Sequence, residues 1–315
     1  MQDRRTKHTH DLVNVAIPCQ SEHDSGTPSG MPEIAVIIPH YNDVPRLRRC
    51  LDALMPQVGE DVEVVVADNA STESLEPAVS VHQAVKVVVQ PETGAGPARN
   101  AGVAATTARW LMFIDADCVP APDWIARGRA VAEDDAVIGG RVDVFHETPP
   151  PMSGAEAFET VFAFHMRRYL ERSAFLGAGN LVTSRSVFEA VGGFRPAVSE
   201  DKDWSQRAAA SGFRLGFDDE LIVSHPSRAD WASLRRKWRR LTSEGFLTEA
   251  QSPKGRVLWA MKALAMPASA AVHAPRVLRH RGLTAGERAR ALATLARLRT
   301  ARMGWMLGQV ISGQA

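Results

Sequence analysis

The chain has 315 residues, of which 45% are hydrophobic and 23% are charged, a composition typical of one or two globular domains. It excludes a collagen, a long coiled coil and a mostly disordered chain. The net charge of +1 conceals an uneven distribution, because residues 1–227 carry 20 Lys and Arg against 32 Asp and Glu, whereas residues 228–315 carry 17 against 4. An acidic body joined to a basic C-terminal part requires an explanation.

The first 31 residues mix polar and charged side chains without hydrophobic periodicity, which is typical of a mobile tail. They contain no apolar segment of signal-peptide length, and the three cysteines include no Cys-x-x-Cys pair. We therefore expect a reducing, cytoplasmic location, without a disulfide framework or a structural zinc site. No membrane-spanning helix is expected, because the longest apolar segments, 263–275 and 303–315, have 13 residues each.

Four short apolar segments rich in β-branched residues predict strands that are covered on both faces: Ile34–Ile38, Val62–Ala67, Val85–Val89 and Trp110–Ile114. Segments with helical spacing lie between them. Leu47, Leu51 and Leu54 line one face of a helix, and Gly96-Pro97 opens another, since proline at the first helical position loses no hydrogen bond. This alternation predicts an α/β fold with a mostly parallel sheet.

The alternation is weaker after residue 117. The pattern there predicts a strand at Ala136–Val144, a helix at Glu156–Leu170, a helix from Ser199 to Ala210, and short strands at Arg214–Phe217 and Leu221–Ser224. From Asp230 onward the sequence is helical and basic. We therefore predict a catalytic domain over residues 32–227 and a helical C-terminal region over residues 228–315.

Polar residues follow the first four predicted strands, and ligands bind at the carboxyl ends of strands in open α/β sheets. In chain order these residues are Pro39, Tyr41, Asn42, Asp68, Arg99, Asp115 and Asp117. Residues two apart in an extended segment share a side, so the last two carboxylates repel each other unless a cation lies between them. Mg²⁺ or Mn²⁺ shared with phosphate oxygens fits such a pair. The alternative is that these polar residues form ordinary turns and helix caps, and that Arg99 is a surface arginine.

Three later segments also carry candidate chemistry. The glycines of Gly177–Asn180 allow close approach of a ligand to the backbone, although an ordinary turn has the same composition. Glu200 or Asp201 is a candidate general base, and the alternative is that both acids complement the dipole of the helix after Ser199. His225 is a candidate metal ligand only if Asp117 lies near it.

The order and spacing of these motifs resemble the family 2 glycosyltransferases, which have the GT-A fold. The resemblance covers roughly residues 33–245 and rests on segments 34–42, 64–72, 94–102, 113–117 and 177–180, on Glu200-Asp201 and on His225. It implies an inverting, single-displacement transfer from a nucleotide-sugar donor, with a lean towards UDP. It also implies a cofactor, Mn²⁺ or Mg²⁺.

The resemblance implies a role for each candidate residue. Asp68 would bind the donor base, beside the other donor-binding positions Pro39, Tyr41, Asn42, Arg99, Asp115 and Gly179. Asp117 and His225 would hold the metal. Asp201, in the Glu200-Asp201 motif, would take the proton from the acceptor hydroxyl. The Gln-x-x-Arg-Trp motif of processive members does not match the nearest stretch, 234–238, so we expect transfer of a single sugar.

The basic C-terminal region predicts amphipathic helices. Trp231, Leu234 and Trp238 recur at helical spacing between basic residues, and Thr284 with Glu287 forms a capping-box pattern before the last helix. These helices either dock on the catalytic domain or meet an anionic membrane surface or a lipid-linked acceptor. We expect a peripheral position on the inner face of the cell membrane and no nucleic-acid partner.

Two other functions remain open from the residues alone. A sugar-phosphate nucleotidyltransferase can share this α/β core, but it would need a glycine-rich, basic phosphate loop after the first strand. An inactive nucleotide-sugar-binding or membrane-adaptor protein would keep the binding residues without the chemistry.

Overall fold

The computed structural model describes residues 32–82, 84–196 and 199–314, so the tail predicted over residues 1–31 lies outside the described residues. The strands are β1 (Ile34–His40), β2 (Val62–Asp68), β3 (Val85–Val89), β4 (Trp110–Ile114), β5 (Val119–Pro120), β6 (Ala136–Phe145), β7 (Asn180–Ser184) and β8 (Arg214–Pro226). All four strands predicted before residue 117 are confirmed, with ends that differ by no more than two residues.

Helices alternate with the strands and then form the C-terminal region. They are α1 (Val44–Leu54), α2 (Glu76–Val79), α3 (Ala95–Ala104), α4 (Trp124–Val131), α5 (Gly154–Phe162), α6 (Met166–Ser173), α7 (Arg185–Val191), α8 (Glu200–Ala210), α9 (Trp231–Glu249), α10 (Pro253–Arg279) and α11 (Ala285–Ser312). A short 3₁₀ turn at Met55–Gln57 follows α1.

The strands form an eight-stranded sheet in the order β3-β2-β1-β4-β7-β6-β8-β5. The first four strands of that order are parallel, with Ile34 of β1 opposite both Val62 and Trp110. β7 is antiparallel to both β4 and β6, β8 is parallel to β6, and β5 is antiparallel to β8. The predicted α/β class is therefore confirmed, and the sheet is parallel in its first half and mixed in its second.

Both faces of the sheet are covered, which explains the continuous apolar runs in the sequence. On β1, Ile34, Val36 and Ile38 pack in the cluster that includes α1 and α4, whereas Ala35 and Ile37 pack in the cluster that includes α8. This alternation follows from the period of two in a strand. All five side chains are fully buried.

The C-terminal helices pack on α5 and on one another. Phe158 of α5, Leu234 of α9 and Leu295 of α11 share one apolar cluster. The capping box predicted at the start of α11 is present, because the Thr284 hydroxyl accepts from the backbone N–H of Glu287 and the Glu287 carboxylate accepts from that of Thr284. These helices therefore extend the protein core beyond the sheet.

α10 is longer than the sequence pattern predicts. It has 27 residues and continues through Pro267 and His273, which limited the predicted apolar segment. By length and composition alone it could cross a membrane, and most of its apolar stretch lies outside the protein core. α10 therefore exceeds the 13-residue segment on which the expectation was based, and that expectation stays a prediction.

Two local predictions are wrong. The predicted helix Glu156–Leu170 is divided into α5 and α6 around Phe164, whose φ is +53°. The two strands predicted between residues 214 and 224 are one strand, β8. Ser199 has a φ of +59° and does not cap α8 with its side chain, and its hydroxyl donates instead to Glu244 of α9 at 2.7 Å.

Candidate active site

A cleft of about 940 Å³ opens at the carboxyl ends of β1, β2 and β4, where parallel α/β sheets bind ligands. The predicted residues that line it are Pro39, Tyr41, Arg99, Asp115, Asp117, Glu200 and Asp201. α8 and α9 form its other walls, through residues such as Lys202, Gln206, Arg240 and Glu244. The cleft therefore lies between the sheet and the first C-terminal helix.

Arg99 ties the end of β4 to the start of α8. Its Nη2 donates to Asp115 Oδ1 at 2.6 Å, and its Nη1 donates to Glu200 Oε1 at 3.1 Å. The guanidinium also lies 5.5 Å from the centroid of the Phe194 ring. Only 4% of Arg99 is exposed, which excludes the alternative of a surface arginine. A buried, charge-assisted pair of this kind fixes both carboxylates at the cleft wall.

Asp115 and Asp117 do not face one shared position. The backbone N–H of Cys118 donates to the Asp115 carbonyl at 2.9 Å, so a turn follows β4 where the sequence argument assumed an extended segment. As a result Asp115 pairs with Arg99, whereas Asp117 pairs with His225. The cation beside Asp115 is therefore the protein's own arginine.

Gly179 lies against the Asp115 carboxylate. A Cβ at this glycine would lie 2.5 Å from Asp115 Oδ2, closer than real Cβ contacts. By contrast, the nearest atom to a Cβ at Gly177 would be the Met166 methyl at 3.3 Å. The group that lies close to Gly179 is therefore the Asp115 side chain. The absence of a Cβ at Gly179 allows the Asp115 carboxylate to occupy its observed position.

Asp117 and His225 come together through the pairing of β5 with β8, in which Val119 lies opposite Ser224. His225 Nε2 is 3.2 Å from Asp117 Oδ2. The other ring nitrogen, Nδ1, lies 2.6 Å from the Pro226 carbonyl, which can only accept, so Nδ1 carries a proton. Burial raises the pKa of Asp117 and lowers the pKa of His225, which disfavours the charged form of each.

This donor set fits a divalent cation. When the His225 ring is neutral, the lone pair on its Nε2 faces a carboxylate oxygen of Asp117. Two hydrogen-bond acceptors at this distance repel each other unless a proton or a cation lies between them. In the described part of the chain, His, Cys, Asp and Glu side chains do not form a group of three or more that could hold a metal. A cation at Asp117 and His225 would therefore need further oxygen ligands from a substrate, as Mg²⁺ commonly takes from phosphates.

Asp201 lies at the start of α8, on the cleft wall beside Glu200. Burial raises its pKa to about 6, and the neighbouring Glu200 and Asp115 carboxylates act in the same direction, while Arg99 opposes them. Its Oδ1 accepts from the backbone N–H of Lys202 at 2.8 Å. A carboxyl group with this pKa is ionised near neutral pH and binds a proton more readily than an ordinary aspartate.

Asp68 has a different environment from the rest of the site. It is 6% exposed, and its carboxylate accepts from the Ser71 backbone and hydroxyl and from His40. Asn42 joins the loops after β1 and β2, because its side-chain oxygen accepts from the Thr72 backbone N–H at 2.8 Å. Neither residue lines the cleft, where Asn69 and Tyr41 lie instead. In this structure both residues stabilise the loops.

A second cavity of about 360 Å³ adjoins the cleft and shares Asp115 and Asp201 with it. Gly179 and His225 line this cavity, and its aromatic walls are Phe158, Phe162, Phe164, Tyr169, Phe175 and Trp238. A hydrophobic pocket with a few polar groups is typical of a small-ligand site. The position beside the raised-pKa carboxyl of Asp201 makes it a candidate for the second substrate.

A buried ion cluster under this cavity was not predicted from the sequence. The carboxylate of Glu159, on α5, accepts from the Arg228 backbone N–H at 2.7 Å and from Lys237 Nζ at 2.6 Å. Glu159 is 1% exposed, so it anchors the segment after β8 and the start of α9. The signal in the sequence is an acid within the apolar pattern of α5, between Phe158 and Phe162.

The chain matches the model of a known protein family. The family described as Glycosyl transferase family 2 matches residues 35–192, which are 158 of the 315 residues. The matched part runs from β1 to the end of α7 and contains Asp115, Asp117 and Gly179. Asp201 and His225 lie beyond it.

Two curated relatives have the same kind of activity in their names. Glycosyltransferase AglE of Haloferax volcanii is 28% identical over 222 residues, covering 67% of this chain and 72% of AglE. The pre-mycofactocin glycosyltransferase of Mycobacterium tuberculosis is 28% identical over 213 residues, covering 63% of this chain and 44% of that protein. The chain thus aligns with most of the first relative and with less than half of the second.

Two solved structures share the fold. The mannosyltransferase PcManGT from Pyrobaculum calidifontis, in complex with GDP-Man and Mn²⁺, has a TM-score of 0.51 and 18% identity, covering 91% of this chain and 77% of that one. TarS 1-349 of S. aureus, in complex with UDP-GlcNAc, has a TM-score of 0.50 and 14% identity, covering 90% of this chain and 92% of that one. At these identities the match concerns the GT-A fold. The family match over residues 35–192, with the curated relatives, shows that the chain belongs to glycosyl transferase family 2 and is a glycosyltransferase.

Proposed function

We propose that this enzyme transfers a single sugar from a nucleotide diphosphate sugar, UDP-linked, to an acceptor hydroxyl with inversion, assisted by Mn²⁺ or Mg²⁺. One observation carries the proposal: the carboxyl group of Asp201, with a pKa raised to about 6, lines the same cleft as Asp117, which is paired with His225. A base and a metal-binding pair are the two groups that a metal-assisted transfer to an alcohol requires.

The donor occupies the part of the cleft at the ends of β1 and β2. Pro39, Tyr41 and Asn69 form its walls, with Tyr41 60% exposed and free to pack against a base. Asp68 supports this wall through His40 and Ser71. The complexes of the two structural neighbours with GDP-Man and UDP-GlcNAc support a nucleotide sugar as the donor class.

The diphosphate lies at Asp117 and His225. The Pro226 carbonyl orients the His225 ring so that its Nε2 faces the cation position. Arg228 is near enough to lower the pKa of both Asp117 and His225, so it adds positive charge on this side. A bound divalent cation would stabilise the negative charge that develops on the departing nucleoside diphosphate.

Asp201 acts as the base in a single displacement. Its carboxylate accepts the proton of the acceptor hydroxyl as that oxygen bonds to the anomeric carbon, and the bond to the nucleoside diphosphate breaks with its electron pair on the phosphate oxygen. Attack opposite to the leaving group inverts the anomeric centre. Glu200 is committed to Arg99, so it positions the wall of the cleft and Asp201 takes the proton.

The acceptor lies in the aromatic cavity beside Asp201, and it is a lipid-linked or surface-glycan intermediate handled in the cytoplasm at the inner face of the membrane. Aromatic walls suit both sugar rings and an apolar carrier. The cavity is bounded by α5, α6 and α9, so the C-terminal helices complete the acceptor side.

Thermal unfolding with a panel of nucleotide sugars, with and without Mn²⁺, tests the donor and metal assignments. We expect at least one nucleotide sugar to raise Tm, and to raise it further when Mn²⁺ is present, because a ligand that binds only the folded state stabilises it. The absence of a shift with every donor, with and without Mn²⁺, would contradict the proposal.

A further inference from the structure

α10 has one face in the protein and one in solvent. Trp259, Ala263 and Val277 are buried against neighbouring helices, and Trp259 Nε1 donates to Gln309 Oε1 of α11 at 3.2 Å. On the other face, six large apolar side chains are 49–75% exposed: Val257, Leu258, Met261, Leu264, Val272 and Leu278. Single exposed apolar residues are ordinary, but a row at helical spacing marks an interaction surface.

Basic side chains flank this exposed row at both ends. Lys254, Arg256 and Lys262 lie in its first part, and Arg276 and Arg279 lie in its last turns. The thirteen residues between Lys262 and Arg276 include no Asp, Glu, Lys or Arg. An apolar stripe with cationic ends matches a layer of acyl chains below anionic headgroups.

An open groove of about 1140 Å³ lies between α6 and the last part of α10, and Val272 also lines it. Six arginines line the groove, against Glu171 and Asp219: Arg141, Arg167, Arg168, Arg172, Arg276 and Arg279. Arg141 and Arg167 have acidic partners, Asp143 and Asp219. Within the described residues the other four arginines have no ion pair. A cation-rich groove therefore continues the apolar face.

His165 lies inside the groove, among these cations. Burial lowers the pKa of His165, and the nearby positive charges of Arg276 and Arg168 lower it further. Like charges held together without counterions favour an anionic ligand. They also disfavour a symmetric contact between two copies of this surface, because the same cations would face each other.

The arginines of α11 are used differently. Arg297 lies over the Trp231 ring at 4.0 Å, Arg302 lies over Trp238 at 4.8 Å, and Arg290 Nε donates to the Met152 carbonyl at 2.8 Å. These side chains hold α11 to the rest of the protein. The cations that line this surface are therefore mainly those of α6 and α10.

We propose that the exposed face of α10 and the arginine groove beside it form a docking surface for an anionic phospholipid bilayer. α10 lies along the bilayer, because both of its ends are fixed to the protein through Trp259 and Val277. Its apolar side chains enter the interface, and Arg168, Arg172, Arg276 and Arg279 contact lipid phosphates. This surface does not depend on sugar transfer, since a chain without transferase activity would still bind vesicles.

Flotation of the full chain with vesicles tests the proposal. We expect binding to vesicles of phosphatidylcholine mixed with phosphatidylglycerol, weaker binding at high salt, and little binding to phosphatidylcholine alone. The double variant Arg276→Gln/Arg279→Gln should lower the partition coefficient by about 25-fold, from about fivefold for each arginine. Leu264→Glu should abolish binding, because a carboxylate would enter the apolar layer.

Matched controls separate this surface from general charge or fold effects. Val81→Glu and Arg109→Gln change exposed residues on the sheet domain and should bind vesicles as the unaltered chain does. All variants should keep the Tm of the unaltered chain, since every replaced side chain is exposed. Failure of the unaltered chain to bind anionic vesicles, or equal binding by Leu264→Glu, would overturn the proposal. A dimer that Leu264→Glu dissociates would overturn it as well, by assigning the face to a second copy.

Discussion

His225 Nε2 lies 3.2 Å from Asp117 Oδ2, and the His225 ring is held by a 2.6 Å hydrogen bond from Nδ1 to the Pro226 carbonyl. The two residues come from separate parts of the chain and meet because β5 pairs with β8. Burial raises the pKa of Asp117 and lowers the pKa of His225, so the charged form of each side chain is disfavoured. A divalent cation between the two side chains would bind both of them. This geometry is the basis of the metal assignment.

The first prediction concerns this pair. Asp117→Ala and His225→Ala should each weaken the Mn²⁺ affinity of the complex with a nucleoside diphosphate by about 10-fold or more, because each removes one ligand. Calorimetric titration of Mn²⁺ into the protein with UDP or GDP measures the effect. Asp143→Asn, at an exposed carboxylate paired with Arg141, is the control and should bind as the unaltered protein does.

The second prediction concerns Gly179. Gly179→Ala should destabilise the fold by about 1–3 kcal/mol and impair transfer, because its Cβ would displace the Asp115 carboxylate from Arg99. Gly177→Ala should have a smaller effect on both, since its nearest neighbour is the flexible Met166 methyl. Urea unfolding and steady-state rates compare the two variants. Equal behaviour of the two would show that the contact with Asp115 is unimportant.

The third prediction concerns the buried carboxylate of Glu159. Glu159→Gln should lower the free energy of unfolding by about 3–5 kcal/mol, because Lys237 and Arg228 would lose their buried counterion. Glu249→Gln breaks an exposed pair with Lys262 and should cost about 1 kcal/mol or less. Urea unfolding of both variants measures the difference. A similar small loss for both would contradict the role given to Glu159.

The fourth prediction concerns how the ionisation of Asp201 makes the stability of the protein depend on pH. Its pKa is raised to about 6 in the folded protein, so the folded state binds the proton more tightly than the unfolded state. Stability contributed by this group is therefore lost as pH rises from about 4 through about 6. Asp201→Asn removes the loss, and it should be more stable than the unaltered protein at about pH 8, by up to about 3 kcal/mol, but not at about pH 4. A constant difference at both pH values would exclude the raised pKa.

Much of the fold could be predicted from the sequence because the strands before residue 117 are covered on both faces. Ile34, Val36 and Ile38 lie in an unbroken apolar run, which is typical of such a strand. The division at Phe164 could not be predicted, since a φ of +53° at a phenylalanine has no signal in the local sequence. The continuity of β8 depends on its long pairing with β6, which local sequence does not contain.

The site was predictable in its residue types and less so in its contacts. Asp115 and Asp117 lie at the cleft, as the strand-end rule implies, and Asp201 lies at the same cleft on α8. The ion pairs could not be predicted, because Arg99 and Glu200, and likewise Glu159 and Lys237, are far apart in the sequence. Their roles in binding and catalysis stay predictions.

The most direct test is the release of nucleoside diphosphate from a panel that includes UDP-GlcNAc and GDP-mannose, with Mn²⁺ and a membrane lipid extract as the source of acceptor. We predict release by the unaltered enzyme from at least one donor. Asp201→Asn should be slower by about 10²–10⁴-fold with donor affinity unchanged, as expected for loss of a general base. No release from any donor, or release by Asp201→Asn at the rate of the unaltered enzyme, would contradict the proposed mechanism.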